Sequence, residues 1–254
     1  MTKIVSIHSF RGGTGKSNIT ANLAAALALR GNRVGIVDTD IQSPGIHMIY
    51  QLDASRIERA LNDFLFRRCP IEKTAYDVSS MLRKPAGCTG VVYLIPSSLK
   101  TGEIARVLKE GYDVSLLNDG LQAVCRALDL HFLLIDTHPG VNEETLLSIA
   151  MSDVLLLIIR PDAQDWQGTA VAVELARRLE VPRLLMLVNK LPSAFDAAEV
   201  RRRVQETYSA AVGAVFGQSE EMLELGSSDL FVVRYPDHDV SQQLRQLAAL
   251  VEAD

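Results

Sequence analysis

The chain has 254 residues, a formal net charge of −5 at pH 7 and 48% hydrophobic residues, with a mean hydropathy of +0.12. This size and composition predict one domain, residues 1–254, with a large core, and they exclude a disordered chain. The negative charge excludes attraction of the whole surface to nucleic acid or anionic lipid. No apolar run approaches the roughly 18 residues of a membrane-spanning helix, and no secretion signal is recognisable, so we expect a cytoplasmic protein.

Apolar runs alternate with helical patterns along the chain, in the order typical of a parallel sheet with right-handed crossovers. Helices are predicted between the strands, short helices within residues 51–90, and a last helix over residues 240–251. We therefore predict an α/β fold, a doubly wound, mostly parallel sheet with helices on both faces. The predicted strands lie near residues 3–8, 33–38, 91–95, 131–136, 153–159, 183–189 and 229–234.

A glycine-rich loop lies between the first predicted strand and the first helix. In residues 9–18, SFRGGTGKSN, Phe10 takes the place of the glycine that opens an ordinary phosphate loop. Glycines let backbone N–H groups turn toward phosphates, the helix N-terminus adds partial positive charge, and Lys16 adds an ammonium group. The loop predicts a nucleotide-phosphate site with a Mg²⁺ ligand at Ser17; the alternative is a glycine-rich turn whose lysine and serine are solvated. The predicted nucleotide-binding residues here are Gly12, Gly13, Thr14, Gly15, Lys16, Ser17 and Asn18.

Acidic side chains follow two further predicted strands. Asp136 ends an apolar strand, so its carboxylate should emerge at the carboxyl edge of the sheet, close to the loop. Asp38 and Asp40 are two residues apart, which on an extended chain directs both side chains to the same side, toward the phosphates. Carboxylates at this edge suit a metal-assisted phosphoryl-transfer site, whereas capping of a turn or helix is the alternative.

Three segments together resemble the MinD/ParA family of deviant Walker A ATPases. Residues 11–17 resemble its phosphate loop, residues 37–45 its switch I, and residues 132–140 its Walker B strand and switch II. The resemblance covers nearly the whole chain. It implies the three-layer P-loop NTPase fold, ATP and Mg²⁺ as cofactors, and slow, partner-stimulated hydrolysis by an ATP-bound homodimer.

The resemblance also implies roles for individual residues. Lys16 and Asp40 become catalytic residues, Lys16 on the outer phosphates and Asp40 on the attacking water. Asp38 assists them at the metal, where Ser17 and Asp136 are the other implied ligands.

Two residues depart from the family pattern. Arg11 stands where the family carries a signature lysine that reaches the partner's bound phosphates. We expect Arg11 to bridge a dimer as a catalytic residue; the alternative is that it points to solvent or pairs with an acidic neighbour, leaving a monomer or weak dimer. His138 stands where the family commonly has proline or a small residue, and it would either sense the γ-phosphate or be a hydrogen-bonded surface residue.

A base-recognition site is implied at the end of a later strand. Asn189 matches the asparagine with which the family binds the adenine edge, and Pro236 and Asp237 resemble the segment that closes over the base. The Asn189-Lys190 pair also resembles the guanine motif of GTPases, but Pro192 stands where that motif needs aspartate. Adenine is therefore the predicted base.

These features favour a switch ATPase that positions or partitions DNA, an organelle or division machinery, with an activating partner or cargo adaptor. The alternatives are an ATP-dependent ligase or synthetase of the dethiobiotin or cobyrinic acid amidation type, and a nucleotide-dependent regulator that does not hydrolyse. No cluster marks the substrate pocket that a ligase needs.

Other surfaces weigh against further partners. Residues 201–203 are three arginines that predict a solvated helix face or a weak patch for non-specific DNA. The last predicted helix carries only Arg245 as a basic residue, unlike a membrane-targeting tail. Cys69, Cys88 and Cys125 lack paired spacing, which disfavours a disulfide framework and the iron–sulfur carriers of similar fold.

Overall fold

Buried apolar strands form an eight-stranded sheet at the centre of the computed structural model, which describes residues 1–253. The strand order is β3-β4-β2-β5-β1-β6-β7-β8, and every pairing is parallel except that of β3 with β4. The predicted doubly wound, mostly parallel fold is therefore confirmed. The strands are β1 Lys3–His8, β2 Arg33–Asp38, β3 Tyr76–Asp77, β4 Val91–Ile95, β5 Phe132–Asp136, β6 Val154–Ile159, β7 Arg183–Leu191 and β8 Ala211–Gly217.

Helices cover both faces of the sheet, and short 3₁₀ turns occupy Ala54–Arg56, Ile71–Thr74 and Ser79–Leu82, inside the stretch where short helices were predicted. No helix within residues 1–253 has both the length and the apolar character that crossing a membrane requires. The α-helices are α1 Lys16–Leu29, α2 Ile46–Ile49, α3 Leu61–Leu65, α4 Thr101–Glu110, α5 Val114–Ala127, α6 Glu143–Ala150, α7 Ala163–Arg178, α8 Ala197–Tyr208, α9 Glu220–Leu225, α10 Phe231–Arg234 and α11 Asp239–Glu252.

Alternation along the strands divides the core between two faces. On β5, Leu134 belongs to the cluster that packs with α1 and α11, whereas Leu133 and Ile135 belong to the cluster that packs with α5. Successive side chains of a strand point to opposite faces, so a strand that is apolar at every position must be covered on both. The last helix, α11, packs on this core through Leu244 and Leu247, as predicted.

The predicted strand at residues 229–234 is wrong. The eighth strand is Ala211–Gly217, and Phe231–Arg234 forms the short helix α10 instead. Phe231 is fully buried, and the N–H of Val232 donates to Oδ1 of Asn22 at 2.9 Å, which ties α10 to α1. A short apolar run such as residues 231–234 fits a buried helical turn as well as a strand. Residues 211–217 were missed because their many small residues give no clear two-residue alternation of apolar and polar side chains.

The three arginines of residues 201–203 are all engaged within the protein. Arg201 donates to the carbonyl of Val212, and Arg203 stacks over the ring of Trp166 at 4.9 Å. Arg202 pairs with glutamates one turn before and after it on α8. Pairing of this kind is typical of a solvated helix face rather than of a patch held free for phosphates.

Gly90 permits the close approach of the chain before β4 to the end of α1. A Cβ built on Gly90 would lie 1.7 Å from the carbonyl oxygen of Ala28, a backbone atom that cannot move aside cheaply. By contrast, a Cβ on Gly102 in α4 would meet nothing within 4 Å.

We predict that Gly90→Ala lowers the free energy of unfolding by about 3 kcal/mol, because overpacking against a fixed backbone forces strands and helix apart. Gly102→Ala is the matched control and should raise it by up to about 1 kcal/mol, because alanine favours a helix interior. Urea unfolding followed by circular dichroism measures both. Equal stability of Gly90→Ala and the wild type would contradict the close approach.

Candidate nucleotide-binding site

The glycine-rich loop connects β1 to α1, as predicted. Gly13 has φ 75° and Gly15 has φ 94°, backbone conformations that other residues adopt only at a cost. Gly15 directly precedes α1, so Lys16 and Ser17 form the first turn of that helix, where backbone N–H groups have no partner within the helix. This arrangement is a general anion site.

A cavity of about 500 Å³ opens over the loop. Its wall includes six of the seven loop residues predicted to bind nucleotide: Gly12, Gly13, Gly15, Lys16, Ser17 and Asn18. Thr14, the seventh, does not line it; its side chain is 1% exposed and its Oγ1 donates to Oγ of Ser9 at 2.9 Å. Thr14 therefore shapes the loop from beneath.

Two side chains at the end of β7 hold the loop from the other side. Nδ2 of Asn189 donates to the carbonyl of Thr14 at 2.7 Å, and Nζ of Lys190 donates to the carbonyl of Gly13 at 2.8 Å. A Cβ on Gly15 would lie 2.5 Å from the same Asn189 nitrogen. Asn189 thus fixes the position of the loop, in addition to the base contact predicted for it. The contact of Lys190 with the loop was not predicted.

Phe10 packs away from the phosphate cavity. A Cβ built on Gly168 of α7 would lie 2.0 Å from the Phe10 ring, so the ring occupies the space that a side chain at residue 168 would need. The residue that replaces the usual glycine therefore anchors the loop to α7. The sequence contains two unusual features, Phe10 in place of a loop glycine and Gly168 within a helix. Their contact depends on the fold and could not be predicted from either feature.

Asp38 and Asp136 lie side by side at the carboxyl edge of the sheet, where they are register partners on β2 and β5. Both are fully or almost fully buried, and Oδ2 of each lacks a hydrogen-bond partner within residues 1–253. Burial raises the pKa of Asp136 to about 6, although the Ser17 hydroxyl and Lys16 oppose the rise. Burial, followed by the charges of Asp136 and Asp40, also raises the pKa of Asp38.

These carboxylates fit a magnesium site. Asp136, which contacts the Ser17 hydroxyl, and its neighbour Asp38 each carry an unpartnered, buried oxygen of the hard kind that Mg²⁺ prefers. A cation there would offset charge that burial disfavours. In the described part of the chain, no three His, Cys, Asp or Glu residues cluster closely enough to hold a metal on their own. A metal held jointly by protein oxygens and substrate phosphates is the usual arrangement for Mg²⁺.

Asp38 and Asp40 do not face one cavity, contrary to the prediction from their spacing. Asp38 turns into the sheet edge, where its Oδ1 accepts from the N–H of Asp40 at 3.0 Å. Asp40 lines the phosphate cavity, and its Oδ1 contacts Nδ1 of His138 at 2.7 Å. The chain turns after β2 instead of remaining extended, so the two-residue period does not apply. His138 is hydrogen-bonded, and it lines the same cavity as Asp40.

Arg11 pairs with acidic neighbours in this structure. Its Nη1 lies 3.4 Å from Oδ1 of Asp162 and 3.5 Å from Oδ1 of Asp165, at the start of α7. Arg160 pairs with the same two carboxylates. This is the arrangement given above as the alternative to a bridging arginine, and the identity of these acidic partners was not predicted.

A second cavity of about 410 Å³ adjoins the first through Gly15 and Asn18. Asn189 lines it together with residues that follow β8, among them Gln218 and Met222. Its wall also includes apolar side chains such as Phe216 and Leu244, which suit a planar base.

Pro236 and Asp237 do not line this cavity, so their predicted role at the base is corrected. Their carbonyls accept from Arg245 at 2.6 Å and Gln242 at 3.0 Å, on α11. The error follows from the misplaced last strand, because the segment after the true strand β8 forms the cavity wall.

We predict that Asp136→Asn stabilises the metal-free protein at neutral pH. Because the folded-state pKa of Asp136 is about 6, above its ordinary value of 3.8, the wild type loses stability as pH rises through this interval and does not regain it. The amide lacks this loss, so the variant should match the wild type near pH 4 and exceed it by about 2–3 kcal/mol at pH 7.5.

Urea unfolding at the two pH values, in EDTA and without nucleotide, measures this difference. Asp119→Asn, at an exposed position of α5, is the control and should show no such dependence. A variant that is destabilised equally at both pH values would contradict the electrostatic explanation.

Comparisons with known proteins agree with this geometry. A protein-family model, that of the AAA domain, matches residues 2–181. An uncharacterised ATP-binding protein of Methanocaldococcus jannaschii is 26% identical over 251 residues, which cover 98% of this chain and 87% of that protein. An iron–sulfur cluster carrier protein of the same organism is 30% identical over 191 residues, 74% of this chain but 59% of the carrier.

Among solved structures, the septum site-determining protein MinD of Pyrococcus horikoshii, in complex with Mg-ADP, superposes with a TM-score of 0.81 at 21% identity. The match covers 100% of this chain and 97% of that MinD chain. These findings support the resemblance noted above. The chain belongs to the AAA domain family and has the fold of MinD.

Proposed function

We propose that the protein is an ATP-binding and ATP-hydrolysing switch of the MinD/ParA type, which dimerises when ATP is bound. The observation that carries the proposal is that Lys16, the glycine loop and Asp40 line one cavity, at the sheet edge where Asp38 and Asp136 are buried. Few other ligands need backbone N–H groups, an ammonium and a metal-binding edge together. A neighbouring cavity of about 410 Å³ beside Asn189 supplies room for the base, for which we retain adenine.

Each chemical requirement of phosphoryl transfer has a candidate residue. Lys16 would bind the outer phosphates, and its position in the first turn of α1 places it at the cavity wall. Ser17, Asp136 and Asp38 would hold Mg²⁺, which when bound neutralises phosphate charge. Asp40 would orient the attacking water, because among the predicted carboxylates it alone lines the cavity.

We predict that Lys16→Ala weakens ATP binding at least about 100-fold, because a charge-assisted contact to phosphate is lost. Isothermal titration with ATP and Mg²⁺ measures the affinity. Lys109→Ala, at the exposed C-terminal end of α4, is the control and should bind as the wild type does. Tight binding by Lys16→Ala, or tighter binding of GTP than ATP by the wild type, would contradict the assignment.

Two exposed apolar side chains, one at the cavity and one close along the chain to a cavity residue, support a dimer. Met48 is 60% exposed while lining the phosphate cavity, and Val141, three residues beyond His138, is 41% exposed. A second copy that covers the cavity would bury both residues. Arg11 would then exchange its carboxylate partners for the phosphates bound to the partner subunit, for which its planar fork is suited.

We predict that Arg11→Ala abolishes ATP-dependent dimerisation but preserves nucleotide binding, because its guanidinium would contact phosphates only across the interface. Light scattering with a non-hydrolysable ATP analogue should show the wild type at twice 27.8 kDa and the variant at 27.8 kDa. Arg178→Ala, at an exposed position of α7, is the control and should dimerise. Unchanged dimerisation of Arg11→Ala would contradict the bridging role and leave Arg11 paired only with carboxylates of its own subunit.

In this proposal hydrolysis is slow and is stimulated by a partner or cargo adaptor, and the switch positions or partitions a cellular cargo. An iron–sulfur carrier role is not favoured, although one relative bears that name. Cys69 and Cys88 are half-buried, Cys125 is buried, and within residues 1–253 no cysteine belongs to a cluster of three or more His, Cys, Asp or Glu side chains placed to hold a metal. Stimulation of ATP hydrolysis by a candidate adaptor, without cluster transfer, would support the switch.

A further inference from the structure

The contact between Asp40 and His138 joins the two loops that flank the phosphate cavity. Asp40 follows β2, and His138 follows β5; both side chains line the cavity, with 13% and 21% of their surfaces exposed. We propose that His138 is a positioning residue that fixes the Asp40 carboxylate for ATP hydrolysis. This inference rests on the proposed function.

One oxygen of Asp40 is held and the other is available. Oδ1 of Asp40 lies 2.7 Å from Nδ1 of His138 and also accepts from the N–H of Ser43 at 3.3 Å. Within residues 1–253, no hydrogen bond to Oδ2 is seen. With two donors on one oxygen, rotation of the carboxylate is restricted, and the second oxygen keeps a fixed direction.

A fixed carboxylate oxygen suits a water that must attack in line. In hydrolysis the water oxygen bonds to the γ-phosphorus while the bond from that phosphorus to the oxygen retained by ADP breaks. The water gives up a proton, and Oδ2 of Asp40 would accept it before passing it to phosphate or solvent. Positioning contributes most of the rate in such reactions, so a carboxylate that can rotate would be a poorer catalyst.

The histidine is itself held by the elements beneath it. Oγ1 of the preceding residue, Thr137, donates to the carbonyl of Ile7 on β1 at 3.0 Å, and Oγ1 of Thr145 on α6 donates to the carbonyl of His138 at 3.4 Å. A strand and a helix thus restrain the chain at Thr137 and at His138 itself. A restrained imidazole can hold Asp40 in place, whereas a mobile one would only follow it.

The test compares variants that keep or lose the donor at the Nδ1 position. His138→Ala should lower kcat about tenfold, the effect of losing one hydrogen bond to a charged group, while KM and the ATP dissociation constant change less than about twofold. His138→Asn places an amide nitrogen near the position of Nδ1 and should recover most of the rate. His138→Gln extends its amide one carbon further and should not. His131→Ala, an exposed histidine elsewhere, is the control.

A double variant shows whether His138 acts through Asp40. Adding His138→Ala to Asp40→Ala should cause no further loss of single-turnover rate, because the carboxylate that His138 positions is already absent. An additional tenfold loss, or a rise of KM equal to the fall of kcat, would overturn the proposal. If Asp40→Ala has no measurable rate, or if His138→Ala does not fold, equal rates of His138→Asn and His138→Gln would overturn it. A wild type that binds ATP but never hydrolyses it would overturn the proposed function and this inference together.

Discussion

The site depends on two carboxylates buried side by side at the carboxyl edge of the sheet. Asp38 and Asp136 are register partners on adjacent strands, and Lys16, only 7% exposed, acts electrostatically on Asp136. Burying like charges is costly unless a cation compensates, and the raised pKa of Asp136 shows that Lys16 compensates only in part. Burial therefore disfavours full ionisation of the two carboxylates when no metal is bound. A ligand that brings Mg²⁺ would offset this cost, so that binding and fold stability would be linked.

Different elements of the fold contact the phosphate loop around these carboxylates. The end of β7 holds two loop carbonyls through Asn189 and Lys190, and α7 receives Phe10 against Gly168. The loop containing His138 closes the side nearest Asp40. The loop that we propose to bind phosphates is thus held by direct contacts to β7 and α7, and the loops that carry Asp40 and His138 are joined to each other beside it.

The sequence predicted those parts of the structure that depend on residues close together along the chain. The strand, loop and helix around Lys16 depend on local glycine and apolar patterns, and the parallel sheet follows from their alternation. Predictions failed where distant residues decide the conformation. Residues 231–234 form a short helix whose Val232 N–H donates to Asn22 of α1, and Pro236 was misassigned because this segment was predicted as a strand. Nothing in the sequence near Arg11 indicates that it pairs with Asp162. Asp162 lies 151 residues further along the chain, and the pairing of β1 with β6 brings the two residues together.

The arrangement around Arg11 bears on how a dimer would form. Asp165 is 2% exposed, and a buried carboxylate left without a cation would be strongly destabilising. Arg160, however, also contacts Asp165, its Nε lying 3.2 Å from Oδ2. If Arg11 left these carboxylates, Asp165 would keep the guanidinium of Arg160. Two arginines on two carboxylates would therefore lower the cost of moving Arg11 across the proposed interface. Moreover, Asp162 is 42% exposed, so that water can solvate the second carboxylate once it is released.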